Sequence, residues 1–155
     1  MVRASGLLGN LFMGPAAGAV VEALAGATGV VVVAGAPRLA RAIAERGRAV
    51  VALSDEPRSL RKHRDPGAYA SSAALPFADA SIGAVVGVAP GDRWSELVAE
   101  WSRVVADGGA VVMVDRAPPT EASRRALCGG LMNIEQRTAG RTVVTSGQVA
   151  KLPGD

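Results

Sequence analysis

Cysteine, histidine and aromatic residues are all scarce in this chain of 155 residues. Cys128 is the single cysteine and His63 the single histidine, and two Trp, two Phe and one Tyr are all the aromatic side chains. One cysteine excludes an internal disulfide and points to a reducing compartment, here expected to be the cytoplasm. One histidine and one cysteine cannot supply a thiolate–imidazole metal site, and no metal is expected. So few aromatics leave a basic surface without stacking platforms for single-stranded nucleic acid. A net charge of +3 is too small to mark a nucleic-acid partner by itself, and none is expected.

Long hydrophobic runs are also missing. The stretch from Leu7 to Val21 superficially resembles a signal peptide, but Asn10, Pro15 and Glu22 interrupt it and Gly and Ala dominate it. A spanning helix needs about 20 strongly apolar residues, so membrane insertion is not expected. Apolar residues at 49% and charged residues at 20% are those of a packed globular domain. The length fits one domain over 1–155, with an N-terminal extension at 1–14, a core at 15–149 and a short tail at 150–155.

What is present is alternation. Val30-Val31-Val32-Val33 is a continuous β-branched run, as in a strand buried on both faces. After Pro37, the spacing of Leu39, Ala40, Ile43 and Ala44 predicts a helix stopped by Gly47. Ala49 to Leu53 is a second strand, which closes a βαβ unit. Pro57 opens a short helix reaching His63, and a weak third strand falls near Ala68 to Ala70. Ile82 to Val88 is a fourth strand. Trp94, Leu97, Val98, Trp101, Val104 and Val105 then predict an amphipathic helix ended by Asp107-Gly108-Gly109. A strand from Ala110 to Val114, a helix from Thr120 to Leu127 and two alternating segments, Leu131 to Thr138 and Arg141 to Val149, complete the chain. An Ala-rich helix over Pro15 to Ala25 precedes them all. Such an order predicts an α/β, three-layer Rossmann-like fold: a mostly parallel seven-stranded sheet with a C-terminal antiparallel β-hairpin.

Five segments carry a resemblance over roughly residues 15–149: VVVVAGAPRLARAIAERG from Val30, AVVALSDEPRSL from Ala49, ALPFADASIGAVVGV from Ala74, WSELVAEWSRVVADGGAVVMVD from Trp94, and the closing hairpin. In order and spacing they resemble the small class I methyltransferases that use S-adenosylmethionine. The resemblance implies a glycine-rich turn after the first strand and acidic residues at strand ends that read the cofactor. Aligned on those segments, the first acidic position falls at Val31, and the three glycine positions fall at Val33, Gly35 and Pro37. The ribose-binding acid falls at Ser54, with Asp55 one step later as a substitute. The adenine-side acid falls at Ser71, next to the Ala74-Leu75-Pro76-Phe77 segment, and the acid that opens the fourth strand falls at Gly83.

The polar positions that the resemblance assigns to the cofactor are therefore replaced while the apolar framework stays intact. That asymmetry implies a pseudo-methyltransferase, of bacterial origin by its Ala and Arg richness, with no catalytic residue and no cofactor expected. Gly35, Ser54, Asp55, Ser71 and Leu75 would line a vestigial cleft. The alternative is a divergent methyltransferase that binds S-adenosylmethionine through Gly35, Asp55 and main-chain groups and acts on a small molecule. A third reading keeps the cleft and changes its ligand.

The remaining features have bland readings. Arg58 to Arg64 is the densest basic run, an anion or nucleic-acid patch or, as preferred in the absence of interleaved aromatics, a solvated helix face. Asp92, Glu96 and Glu100 form an acidic stripe expected to face solvent. Trp94 and Trp101 share a helix face and pack on the sheet or border a contact surface. Cys128 is a buried, inert thiol by default, and Asp115 to Pro119 follow the fifth strand where substrate groups could lie. Gly6 to Gly29, with Glu22 its only charge, either covers its own sheet or docks on another chain or a second copy, so a protein partner or self-association is expected.

Overall fold

The structure, a computed structural model, describes residues 15–54, 71–88 and 91–153, and the backbone of 67–69. Helix α1 covers 15–23. It is followed by β1 (Val31–Ala34), α2 (Pro37–Ala44), β2 (Val50–Ser54), β3 (Gly67–Tyr69) and β4 (Ile82–Val88). Then come α3 (Trp94–Val104), β5 (Val105–Asp115), α4 (Pro119–Cys128), β6 (Met132–Ala139) and β7 (Thr142–Gln148). The helix expected from Pro57 to His63 lies outside the described residues.

The strands form one sheet in the order β3-β2-β1-β4-β5-β7-β6. The first five are parallel, and β7 runs antiparallel between β5 and β6. Gly140, with φ +64, occupies the first position of the two-residue turn between β6 and β7, where a hairpin of the II′ kind requires a left-handed residue.

Strand periodicity sorts the core into two layers. Val31 and Val33 of β1, Ala84 and Val86 of β4, and Val112 and Val114 of β5 face α1 and α2, meeting Ala17, Val20, Leu24, Leu39 and Ile43. Their neighbours Val32, Val85, Val111 and Met113 face the opposite way, against Leu97, Val98, Trp101 and Ala126 of α3 and α4. Ala16, Ala17, Val20 and Leu24 are almost wholly buried there. The apolar face of α1 is thus occupied by its own sheet, and of the two readings of this segment the covering one holds for residues 15–24.

One boundary departs from the periodicity. The α3 helix ends at Val104, and Val105 is already extended (φ −77, ψ 136) and paired with Ile82, so Val105 to Gly109 belong to β5. The apolar residue that continues the helical spacing also begins a strand, and spacing alone cannot separate the two. Tertiary partners end the helix instead of a glycine cap. Ala80 and Ser81 donate their N–H groups to the Arg103 and Val104 carbonyls at 2.9 and 2.8 Å. The Lys151 ammonium donates to the Ser102 and Arg103 carbonyls, both at 3.0 Å, a cation placed at the negative end of the helix dipole.

Candidate functional site

In open parallel sheets ligands bind at the carboxyl edge, where the order of strands reverses; here that is the edge between β1 and β4. The turn leaving β1 starts at Gly35, whose φ of +77 favours glycine and around whose Cα a side chain would meet open space. Its N–H donates to the Leu53 carbonyl at 2.8 Å, which joins the turn to the end of β2. Ala36 then precedes α2 without a side-chain cap, and Pro37 occupies the first turn. Proline is well suited to that position, but it removes one of the backbone donors that a helix N-terminus offers an anion.

Val31 and Val33 are fully buried in the layer shared with α1 and α2. The positions that the resemblance assigns to an acid and to the first glycine are therefore filled with core side chains. A lone carboxylate at Val31 would be buried without a partner, at a cost of roughly several kcal/mol.

The other candidates divide. Ser54 is the last residue of β2, buried at the carboxyl edge, as the alignment places it. Asp55 lies outside the described residues. Ser71 is exposed, and its hydroxyl accepts the Ala73 N–H at 3.2 Å, closing its own turn. Leu75 is 5% exposed and packs in the layer under α3, a core residue rather than a cleft lining.

Gly83 stands at the start of β4, where the alignment places it. It sits at the amino end of β4, next to Ala84, which is opposite the first residue of β1. A ligand at the carboxyl edge is beyond its reach. A Cβ on Gly83 would run into the Thr28 carbonyl, and a Cβ on Gly109 would lie 2.5 Å from the Gly83 carbonyl. The glycine allows three backbone segments to meet, and its lack of a carboxylate says nothing about a cofactor.

Polar organisation that the sequence does not announce lies on α3. Glu100 is not part of a solvent-facing stripe. Its side chain is 17% exposed, and it accepts the Leu75 N–H at 2.8 Å and two donors of Arg103, at 2.7 and 2.9 Å. Arg103 uses all five of its N–H groups: the others reach the Phe77 carbonyl, the Leu75 carbonyl and the Asp79 carboxylate. The Trp101 indole N–H donates to the Ser72 carbonyl at 3.0 Å. Together these three residues hold segment 72–79 against α3. Glu100 and Arg103, three residues apart, are a visible pair in the sequence, but their other partners lie more than twenty residues away and no local pattern points to them.

The hydrogen bonds from Arg103, aided by the Leu75 N–H, hold the Glu100 carboxyl below the usual carboxylate range, while partial burial opposes them. A carboxyl whose pKa is lower in the folded chain stabilises the fold above its unfolded value of about 4.3, and that stability is lost as pH falls through the folded value. Urea unfolding between pH 7 and pH 3 is expected to show Glu100→Gln less stable than the parent at pH 7. The gap should close below about pH 4.3 as the parent's carboxyl takes up its proton.

Asp115 ends β5 at the carboxyl edge, and its Oδ1 accepts the Ala117 N–H at 2.7 Å, a turn that leads into α4. Cys128 ends α4 and is exposed rather than buried. Trp94 is half-buried and Trp101 fully buried. The Arg58 to Arg64 run lies outside the described residues. Among the described residues no group of three or more His, Cys, Asp or Glu could hold a metal ion, and no helix is long and apolar enough to cross a membrane. A cleft of about 300 Å³ opens at the opposite, amino edge, between the end of α1 and strands β5 to β7, with Glu22, Asn133, Glu135 and Arg137 in its wall.

No family model matches the sequence, and no curated protein matches it. Solved structures do match the fold. A complex from Haloferax volcanii between the Trm112 methyltransferase activator and a methyltransferase contains a chain similar to this one with a TM-score of 0.71 and 14% identity, over 88% of this chain and 90% of that one. A Thermotoga maritima S-adenosylmethionine-dependent methyltransferase is similar with a TM-score of 0.69 and 14% identity, over 89% and 91%. The 1,6-didemethyltoxoflavin-N1-methyltransferase of Burkholderia thailandensis, solved with 1,6-didemethyltoxoflavin and S-adenosylhomocysteine, is similar with a TM-score of 0.71 and 15% identity, over 90% and 78%. The chain therefore has the Rossmann-like fold of class I S-adenosylmethionine-dependent methyltransferases, and at these identities the likeness extends to the fold alone.

Among the described residues, the positions that the resemblance assigns to the cofactor hold other residues. The β1 turn keeps one glycine and gains a proline, no carboxylate stands on β1 or at the last position of β2, and the Ser71 hydroxyl accepts the Ala73 N–H within its own turn.

Proposed function

We propose that this chain is a methyltransferase-fold domain that does not transfer methyl groups and serves as an interaction or assembly subunit in a reducing, cytoplasmic setting. The observation that carries this reading is the contrast between the two halves of the molecule. The core beneath the cleft is complete, and the Glu100–Arg103–Asp79 network that braces segment 72–79 is fully paired. On β1 and its turn, Val33 and Pro37 near the carboxyl edge stand at two of the glycine positions of the resemblance, and Val31, at the amino end of the strand, stands at its acidic position. Folding and bracing require the first set, whereas only cofactor recognition requires the second. That a chain of the same fold is found in a complex with an activator protein lends this fold a precedent for a protein partner.

A second reading rests on one specific observation. Gly35 keeps a left-handed φ and open space at the carboxyl edge, and Asp55 follows the end of β2 in sequence. A divergent enzyme would use these with main-chain donors to bind S-adenosylmethionine. Incubating the purified protein with methyl-labelled S-adenosylmethionine and extracts of small molecules and proteins separates the two. The non-catalytic reading expects no protein-dependent transfer of label. Transfer at an ordinary enzymatic rate, lost in Asp55→Ala, overturns it.

A further inference from the structure

The two edges of the sheet are unequal. At one, β3 spans three residues, and very short edge strands resist pairing with other chains. At the other, β6 runs for eight residues from Met132 to Ala139 with β7 on its inner side. Among the described residues no strand pairs with its outer edge, a row of backbone donors and acceptors that is a template for another strand. Proline and lysine, two common blocks to such pairing, are missing from it, and Met132 at its start is 53% exposed. A bulge between Met132 and Glu135, with Asn133 at φ +50, bends its beginning, so regular pairing is confined to the residues from Glu135 onward.

The side chains on this edge are self-complementary. Glu135 and Arg137 lie two apart and so share a face, the one towards α1, where Arg137 meets Glu22 at 3.4 Å and Glu135 at 3.1 Å. Gln136 points to the other face, donating to the Pro119 carbonyl and the Thr145 hydroxyl. If a second β6 pairs antiparallel about a two-fold axis at Gln136, each Glu135 falls directly opposite the partner's Arg137. Directly opposed unlike charges are favourable cross-strand pairs. Centring the axis on Arg137 instead would oppose two guanidinium groups, so the charges select one register.

We infer that β6 is a homodimer interface, in which a second copy of this chain extends the sheet across a two-fold axis at Gln136. It supplies a partner for the assembly reading but does not depend on the loss of methyl transfer. A dimer that transferred methyl groups would overturn the non-catalytic reading and leave this one standing.

Charge reversal tests it by sedimentation velocity. The parent chain is expected to sediment as a dimer. Glu135→Arg and Arg137→Glu each place like charges opposite one another twice, and each is expected to weaken the dimer about tenfold or more. Mixed in equal amounts, the two variants again oppose unlike charges, and the dimer should return, which no folding defect in either variant could produce. In a Cys128→Ser background, Gln136→Cys places two thiols across the axis and is expected to form a reducible covalent dimer. A monomeric parent, single reversals that leave a dimer unchanged, or a Gln136→Cys chain that does not cross-link would each overturn the inference.

Discussion

Trp101→Ala is expected to lower the free energy of unfolding by about 3–5 kcal/mol, the range for truncating a buried aromatic side chain. Trp101 is 1% exposed and is the largest fully buried side chain of the described core. Its ring lies on Gly87 so closely that a Cβ there would overlap the indole, so no neighbour can move in from β4 to fill the space without a change of sequence. The loss has a second part. The indole N–H holds the Ser72 carbonyl, and Trp101→Phe, which keeps most of the volume, should lose that bond with a smaller part of the packing, at a cost of about 1–3 kcal/mol. Urea titration of the two variants measures both losses. In hydrogen exchange, Trp101→Phe should raise exchange in segment 72–79 while the strands stay protected. A loss for Trp101→Ala no greater than that for Trp101→Phe would contradict a packing role for the ring.

Gly83→Ala should cost about 3 kcal/mol, the upper end of the usual penalty for overfilling a core, because the added methyl meets backbone rather than a side chain that can turn aside. The methyl would meet the Thr28 carbonyl and the Gly29 backbone, which lead directly into β1. Gly18 is the matched control. It lies in α1, where an added methyl group would have nothing within 4 Å, and Gly18→Ala should raise stability by about 0.5–1 kcal/mol through helix propensity. Thermal or urea unfolding of the two alanine variants checks both signs. Gly83→Asp would restore the residue type seen at the start of this strand in the resembling family, yet it is expected to destabilise at least as much as alanine and to confer no affinity for S-adenosylmethionine.

Most of the architecture is legible from period and punctuation. Val31 to Val33 and Ile82 to Val88 are apolar without alternation because both faces of β1 and β4 are covered, whereas Val30, which opens the first run, lies before the strand and is exposed; the seven-residue extent of β4 agrees with the run that announces it. Pro37 and Gly47 bracket α2 in sequence as they do in space, and the Pro118-Pro119 pair marks the start of α4. The junction of α3 with β5 is not legible, because Ala80, Ser81 and Lys151, which satisfy the last helical carbonyls, are remote from it in sequence. Glu100 reads as a surface residue for the same reason: a carboxylate beside a tryptophan on a helix looks solvated until Leu75 and Arg103 are brought to it. At the candidate site, the identity of each aligned residue can be read directly, but its location cannot. Ser54 does stand at the carboxyl edge, whereas Gly83 lies at the amino edge and Leu75 in the core, a distinction that depends on strand register rather than on residue type.

We propose that the framework of this fold persists here without the residues that hold S-adenosylmethionine. Native mass spectrometry of the purified chain with and without S-adenosylmethionine tests it most directly, since ligand occupancy is read as a mass difference on the folded species. The expected result is no ligand-bearing species above that seen with an unrelated protein. A one-to-one complex that disappears in Asp55→Ala would contradict the claim and would place a working site at the carboxyl edge of β1 and β2.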